Sequence, residues 1–83
     1  MEESAEQIRE LVEAILEPLV DYPEELRAES SLNGRNLLVE VSVNPEDAGK
    51  VIGRQGRVIK SIRTLARAAA SRKGLNGDVE LLD

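Results

Sequence analysis

The apolar residues of this chain change their spacing three times along 83 positions, and the order of those spacings limits what it can fold into. Ile8, Leu11, Val12, Ile15, Leu16 and Leu19 recur at helical spacing. Leu26, Ala28, Ser30 and Leu32 then alternate with Arg27, Glu29 and Ser31, as in a strand. Leu37, Val39, Val41 and Val43 alternate more clearly, with Leu38, Glu40 and Ser42 on the other face. Helical spacing returns at Ala48, Val51 and Ile52, and again at Val58, Ile59, Ile62, Leu65, Ala66 and Ala69. Val79 and Leu81, separated by Glu80, close the chain as a last strand. The order is α-β-β-α-α-β. A chain of this length has room for a single core, so the expected class is α+β, a three-stranded mixed sheet with the helices on one face. The helix pair crossing between the last two strands makes them parallel if they are neighbours.

Local signals set the boundaries. Ser4 and Gln7 form a capping-box pattern that opens the first helix, and Pro18 ends or kinks it, giving a helix over about 4–20. Asn33-Gly34 is a hairpin turn signal. Asn44-Pro45-Glu46-Asp47 reads as a helix start, with Asn as cap, Pro at the first position and acids at the positive helix end. Gly53 stops that helix after about two turns, and a longer one follows Gly56. Gly74 reads as its cap and Asn76-Gly77 as a turn. One domain is expected over 1–83, with its core about 37–82.

Absences exclude whole classes of function. The chain has no Cys and no His, so thiolate chemistry, the usual proton shuttle and the commonest metal ligand are missing. The acids show no spacing that singles out a catalytic pair. No catalytic residue, metal site or cofactor is expected. Apolar runs are too short for a membrane span, and the acidic first residues argue against a signal peptide; a soluble, cytoplasmic protein is the expectation. Tyr22 is the only aromatic residue. A surface that stacks bases on aromatic rings is therefore excluded.

The charge is divided along the chain. Residues 1–47 carry three cations against thirteen acids, whereas residues 48–77 carry eight cations and no acid. A block so polarised suits a polyanion. Within it, Gly53-Arg54-Gln55-Gly56 joins two helices, and on the second helix Arg57, Lys60, Arg63, Thr64 and Arg67 share the face opposite the apolar one. The first turn of a helix offers unpaired N–H groups and positive potential, and glycine lets a phosphodiester approach closely. Arg54 and Gln55 project from the turn, and the aliphatic edge around Val51 and Ile52 can support bases where rings are absent. The candidate RNA contacts are Lys50, Val51, Ile52, Gly53, Arg54, Gln55, Gly56, Arg57 and Lys60.

The run from Ala48 to Lys60, Ala-Gly-Lys-Val-Ile-Gly-Arg-Gln-Gly-Arg-Val-Ile-Lys, resembles the KH-domain signature, whose GXXG loop clamps about four nucleotides of single-stranded backbone. The element order resembles the type II KH arrangement. With Pro45-Glu46-Asp47 and Ile62-Arg63-Thr64-Leu65, the chain is most similar to the small stand-alone bacterial KH proteins of the KhpA (YlqC-like) family. That resemblance implies single-stranded RNA binding and an RNA-chaperone role. It also implies pairing with itself or with a larger KH-containing partner of the KhpB (Jag, EloR) kind, and a link to peptidoglycan homeostasis and cell length. The alternative reading is a KH fold kept for dimerisation or protein interaction, with weak or no RNA binding.

Overall fold

The computed structural model describes residues 2–82; the first and last residues of the expected 1–83 domain lie outside the described residues. Helix α1 (Glu2–Leu16) leads through two short 3-10 turns to β1 (Arg27–Asn33) and β2 (Asn36–Ser42). A 3-10 turn (Pro45–Asp47), α2 (Ala48–Ile52), α3 (Arg57–Ser71) and β3 (Asn76–Leu81) follow. The sheet order is β1-β2-β3, with β1 and β2 antiparallel and β2 and β3 parallel. The fold class, element order and parallel crossover are those read from the sequence.

One face of the sheet carries the core. Ala28, Leu37, Val39, Val41 and Val79 meet Ile8, Val12 and Leu16 of α1 and Ile59, Ile62, Ala66 and Ala70 of α3 in one cluster. On the other face Glu29, Glu40 and Glu80 stand abreast on the three strands.

Helix α1 runs earlier than the capping-box pattern implies. It is already helical at Glu2, so Ser4 lies within it; the acids Glu2 and Glu3 suit the positive helix end and extend it N-terminally. Its buried stripe is narrower too, formed by Ala5, Ile8, Val12 and Leu16, with Leu11 and Leu19 exposed. The α-helix gives way at Leu16 to a 3-10 turn containing Pro18, whose missing N–H cannot continue it.

The hairpin turns through Gly34 and Arg35, flanked by the Asn33–Asn36 pair. Gly34 takes φ +64° at the first central position, and Arg35 keeps a negative φ, which is where a two-residue hairpin of the II′ kind wants its glycine. Helix α3 ends in the expected glycine cap: the Gly74 N–H donates to Ser71 at 3.0 Å and the Leu75 N–H to Ala70 at 2.9 Å.

Two expectations for this half are corrected. Asn76-Gly77 opens β3 and is not a turn. A Cβ at Gly77 would lie 2.7 Å from the Ala70 Cβ and 3.1 Å from the Ala66 carbonyl oxygen, so that glycine is there to let strand and helix approach. Leu65, expected in the core, is 52% exposed. The buried stripe of α3 is Ile59, Ile62, Ala66 and Ala70, and Val58 and Ala69 are only partly buried against it. Alanines set the close contact with β3, and Leu65 falls to one side of it.

Candidate nucleic-acid interface

The loop is built from both ends. On the entry side the Asn44 side chain accepts from the Glu46 N–H at 2.8 Å and donates to Glu25 at 2.8 Å, starting the 3-10 turn that leads into α2. Val51 is fully buried and seats α2 on the core. It is therefore corrected from an RNA contact to an anchor, and the aliphatic side chain left to solvent is Ile52, 42% exposed. Beside Ile52 lies a cavity of about 260 Å³ lined by Val43, Pro45, Ala48, Leu81 and Leu82. Sequence reading named Ala48 and Ile52 as an apolar edge but not this groove, because the end of β3 comes to α2 only through the fold.

The two glycines of the loop do different things. Gly53 ends α2 with φ +77° and ψ 175°, its N–H donating to Gly49 at 2.9 Å. A Cβ there would sit 2.4 Å from Val58 Cγ2 and 2.9 Å from the Val58 nitrogen. Gly53 is thus required by the chain's own packing. Gly56 is left-handed at φ +72°, yet a Cβ on it would meet nothing closer than Lys60 Cε at 3.9 Å. The open glycine is Gly56. Between them Gln55 is the one non-glycine with positive φ, +57°, among the described residues.

Arg54, Gln55, Arg57 and Lys60 are all exposed around this turn. The Arg57 guanidinium donates to Gln55 Oε1 at 3.1 Å, and none of the three cations has an acidic partner among the described residues. They gather where α3 begins, at its positive end. The remaining cations of the block are placed otherwise. Lys50 is held by Asp21 and by Asp47, the latter at 3.6 Å. Its ammonium is held above its ordinary pKa by the bond to Asp21 first, against some desolvation, with Asp47 adding to the rise. Arg63 donates to the Val79 carbonyl at 2.9 Å, and Arg67 pairs with Asp78 at 3.3 Å. The basic face read from the sequence therefore divides into a free, loop-side part and a part tied to β3.

Asp47 is the residue that sequence reading understood least. It is fully buried and accepts from the Asp21 and Tyr22 N–H groups at 2.9 and 3.0 Å, fastening the α1–β1 connector to the start of α2. Burial opposes its ionisation, but the two N–H groups and Lys50 outweigh this and hold its carboxyl below the ordinary range. A folded-state pKa below the unfolded one means stabilisation that is complete above the ordinary value of about 4 and is lost as pH falls through the folded value. The melting-temperature gap between the natural chain and Asp47→Asn should be constant across neutral pH and close under acid conditions. A gap unchanged down to full protonation would refute that account.

The sequence profile of the KhpA/KhpB KH-domain family matches residues 9–81. The chain belongs to this family. Among its relatives, the RNA-binding protein KhpA of Clostridium perfringens is 44% identical over 75 residues, covering 90% of this chain and all of that protein. The KhpA proteins of Clostridium acetobutylicum and Halalkalibacterium halodurans are each 40% identical, covering 90% and 92% of this chain and the whole of each relative. Gly53 to Gly56 lies within the matched residues, between the second and third helices.

Proposed function

We propose that this chain binds single-stranded RNA, with the backbone of about four nucleotides held at Gly53–Gly56 and the bases resting toward Ile52 and its neighbouring groove. The observation that carries this is the loop itself. Three cations without acidic partners surround an open glycine at the positive end of a 15-residue helix. The relatives named RNA-binding proteins support the same reading. Arg54, Arg57 and Lys60 neutralise phosphate, while Lys50, engaged by two acids, supports α2 from behind. Among the described residues no helix is long and apolar enough to cross a membrane; the proposed place of action is the cytoplasm. By family resemblance the activity is that of an RNA chaperone working with a KH-containing partner of the KhpB kind, in the upkeep of peptidoglycan and cell length.

Salt dependence tests the backbone grip. With three phosphates neutralised, one by each of these cations, log affinity against log salt should have a slope of about -2, at ~0.7 per phosphate on single strands. Duplex RNA should bind less well. A flat salt response, or a preference for duplex, would contradict the proposal.

A grip of about four nucleotides without stacking rings is weak, so the working unit holds two such grooves, from a second copy or a KH-containing partner. Leu65 supports this: it is a large apolar side chain, 52% exposed, on the helix that leaves the loop. Joining two grooves raises avidity by ~10²-fold or more when the geometry permits. Leu65→Asp should abolish self-association in sedimentation at micromolar concentration and leave the affinity for a four-nucleotide RNA unchanged. A natural chain that sediments as a strict monomer and recovers no partner from cells would rule out the two-groove unit.

A further inference from the structure

The two edges of the sheet are finished differently. On β3, Asn76 and Leu82 donate their N–H groups to the Arg35 and Val41 carbonyls at 2.7 and 2.8 Å, so by alternation Gly77, Val79 and Leu81 direct theirs away from β2. Val79, in the middle of that edge, is satisfied by side chains. Its N–H donates to Asp78 Oδ1 at 2.9 Å, and its carbonyl accepts from Arg63 at 2.9 Å. A strand arriving at β3 would have to break both bonds.

β1 is the other edge, and it has no such cover. Its pairing with β2 runs unbroken from Arg27–Ser42 to Asn33–Asn36, without a bulge. The strand contains neither Lys nor Pro, and these with bulges are common means of blunting an edge. The Asn33–Asn36 pair closes a two-residue hairpin and exchanges both of its hydrogen bonds. Alternation then turns the backbone groups of Ala28, Ser30 and Leu32 outward, where they have no backbone partner among the described residues. Ser30 and Leu32 are only partly buried.

The ground beside this open edge is acidic. Glu2 and Glu6, with Ala5, Ser30 and Leu32, line a cavity of about 420 Å³ between the start of α1 and β1. Glu2 has no cationic side-chain partner among the described residues, and Arg9 is shared among Glu6, Glu10 and Glu13. On the outward face of the sheet Glu29 stands opposite Glu40, and Glu40 beside Glu80, an arrangement of like charges that costs stability. A second copy does not suit this edge. Paired with its own image about Ser30, β1 would set each copy's Glu2 and Glu6 against the other's. Nucleic acid is repelled by the same charges. The complement is Lys or Arg, whose aliphatic stem covers Ala5 and Leu32 while its charged head meets the acids.

We propose that the free edge of β1 takes an extended basic segment of a partner protein as a fourth strand. Backbone hydrogen bonds to Ala28, Ser30 and Leu32 hold it, and Lys or Arg side chains at alternate positions enter the cavity beside Glu2 and Glu6. The site is separate from the loop. Helix α1 packs on β1, whereas α3, which starts at the loop and carries Leu65, packs on β3 at the opposite edge. The segment therefore leaves both the loop and Leu65 uncovered.

Amide hydrogen exchange on the full chain tests this with a synthetic peptide of 7 residues, the length of β1, in which Lys alternates with Thr. With the peptide in excess, the Ser30 and Leu32 amides should exchange at least ~10-fold more slowly. The same peptide N-methylated at alternate residues keeps its charge but cannot add a strand, and it should protect neither amide. Ser30→Pro removes the central N–H at a place where an edge strand tolerates proline. It should abolish the protection of Leu32 and leave RNA affinity and sedimentation as in the natural chain. Glu2→Gln with Glu6→Gln should weaken peptide binding by about fivefold, the worth of two charge pairs across neighbouring strands. That variant decides the matter if Ser30→Pro does not melt cooperatively. Peptide binding that leaves Ser30 and Leu32 unprotected, or that survives N-methylation or the loss of both acids unchanged, would overturn the added strand. A change in sedimentation with Ser30→Pro would assign the edge to a second copy and overturn the basic partner.

Discussion

Replacing Arg54 and Gln55 together by Asp should lower RNA affinity by at least 10²-fold while the fold stays intact. The substitutions place two negative charges, and remove one positive charge, where the proposal puts the phosphates. Each lost or reversed contact of about 1.4 kcal/mol is a factor of ten in affinity, so two affected positions give that fall. The fold should not notice. Both side chains are exposed, and among the described residues the only side-chain bond lost is the one from Arg57 to Gln55. Position 55 has φ +57°, and Asp is among the residues that accept the left-handed region. Binding titration with the circular dichroism melt of the same sample reads both halves of the expectation. Natural RNA affinity in the double variant would sink the loop reading, and a lost melt would show that the substitutions act through folding.

Gly53→Ala and Gly56→Ala should separate stability from recognition, although both alter the same motif. At Gly53 a methyl group would overlap the Val58 side chain and its nitrogen, and the backbone there, φ +77° and ψ 175°, belongs to a region nearly closed to other residues. Such strain costs about 1–3 kcal/mol by conformation alone, and the overlap adds to it. For a domain of this size each kcal/mol shifts the melting temperature by roughly 4–8 °C, so Gly53→Ala should melt at least ~10 °C lower. Gly56→Ala pays only for a left-handed alanine, about 1–2 kcal/mol, with free space around the new methyl. Its main effect should be on RNA, since the proposal puts the phosphate backbone in the space the methyl would enter. Equal melting temperatures for the two variants would refute the division of roles.

Much of this was legible because local signals and tertiary packing agree. Asn44 caps where its position before Pro45 predicts, Gly74 closes α3, and the hairpin turns at Gly34. Where reading failed, two packed elements came closer than periodicity can tell. The spacing of α3 admits Leu65 and Ala69 to its apolar face as readily as Ala66 and Ala70. The approach of β3 at Gly77 selects Ala66 and Ala70 as the inward pair. The site divides in the same way. Gly53, Arg54, Gln55 and Gly56 form the loop that the spacing announced. The buried place of Val51, the capture of Lys50 by Asp21, and the groove reaching Leu82 depend on tertiary packing, the latter two on contacts across 29 or more positions. No window of sequence contains them.

The contact of Gly77 with Ala66 and Ala70 has a consequence for how firmly the loop is held. Glycine and alanine give up no side-chain rotamer freedom when they are buried, so this joint between β3 and α3 forms without that entropic loss. It also has no rotatable side chain that could settle into a second arrangement. The C-terminal half of α3 is thus seated on methyl groups and backbone in one position rather than several nearby ones, while Ile59 and Ile62 seat the half nearer the loop.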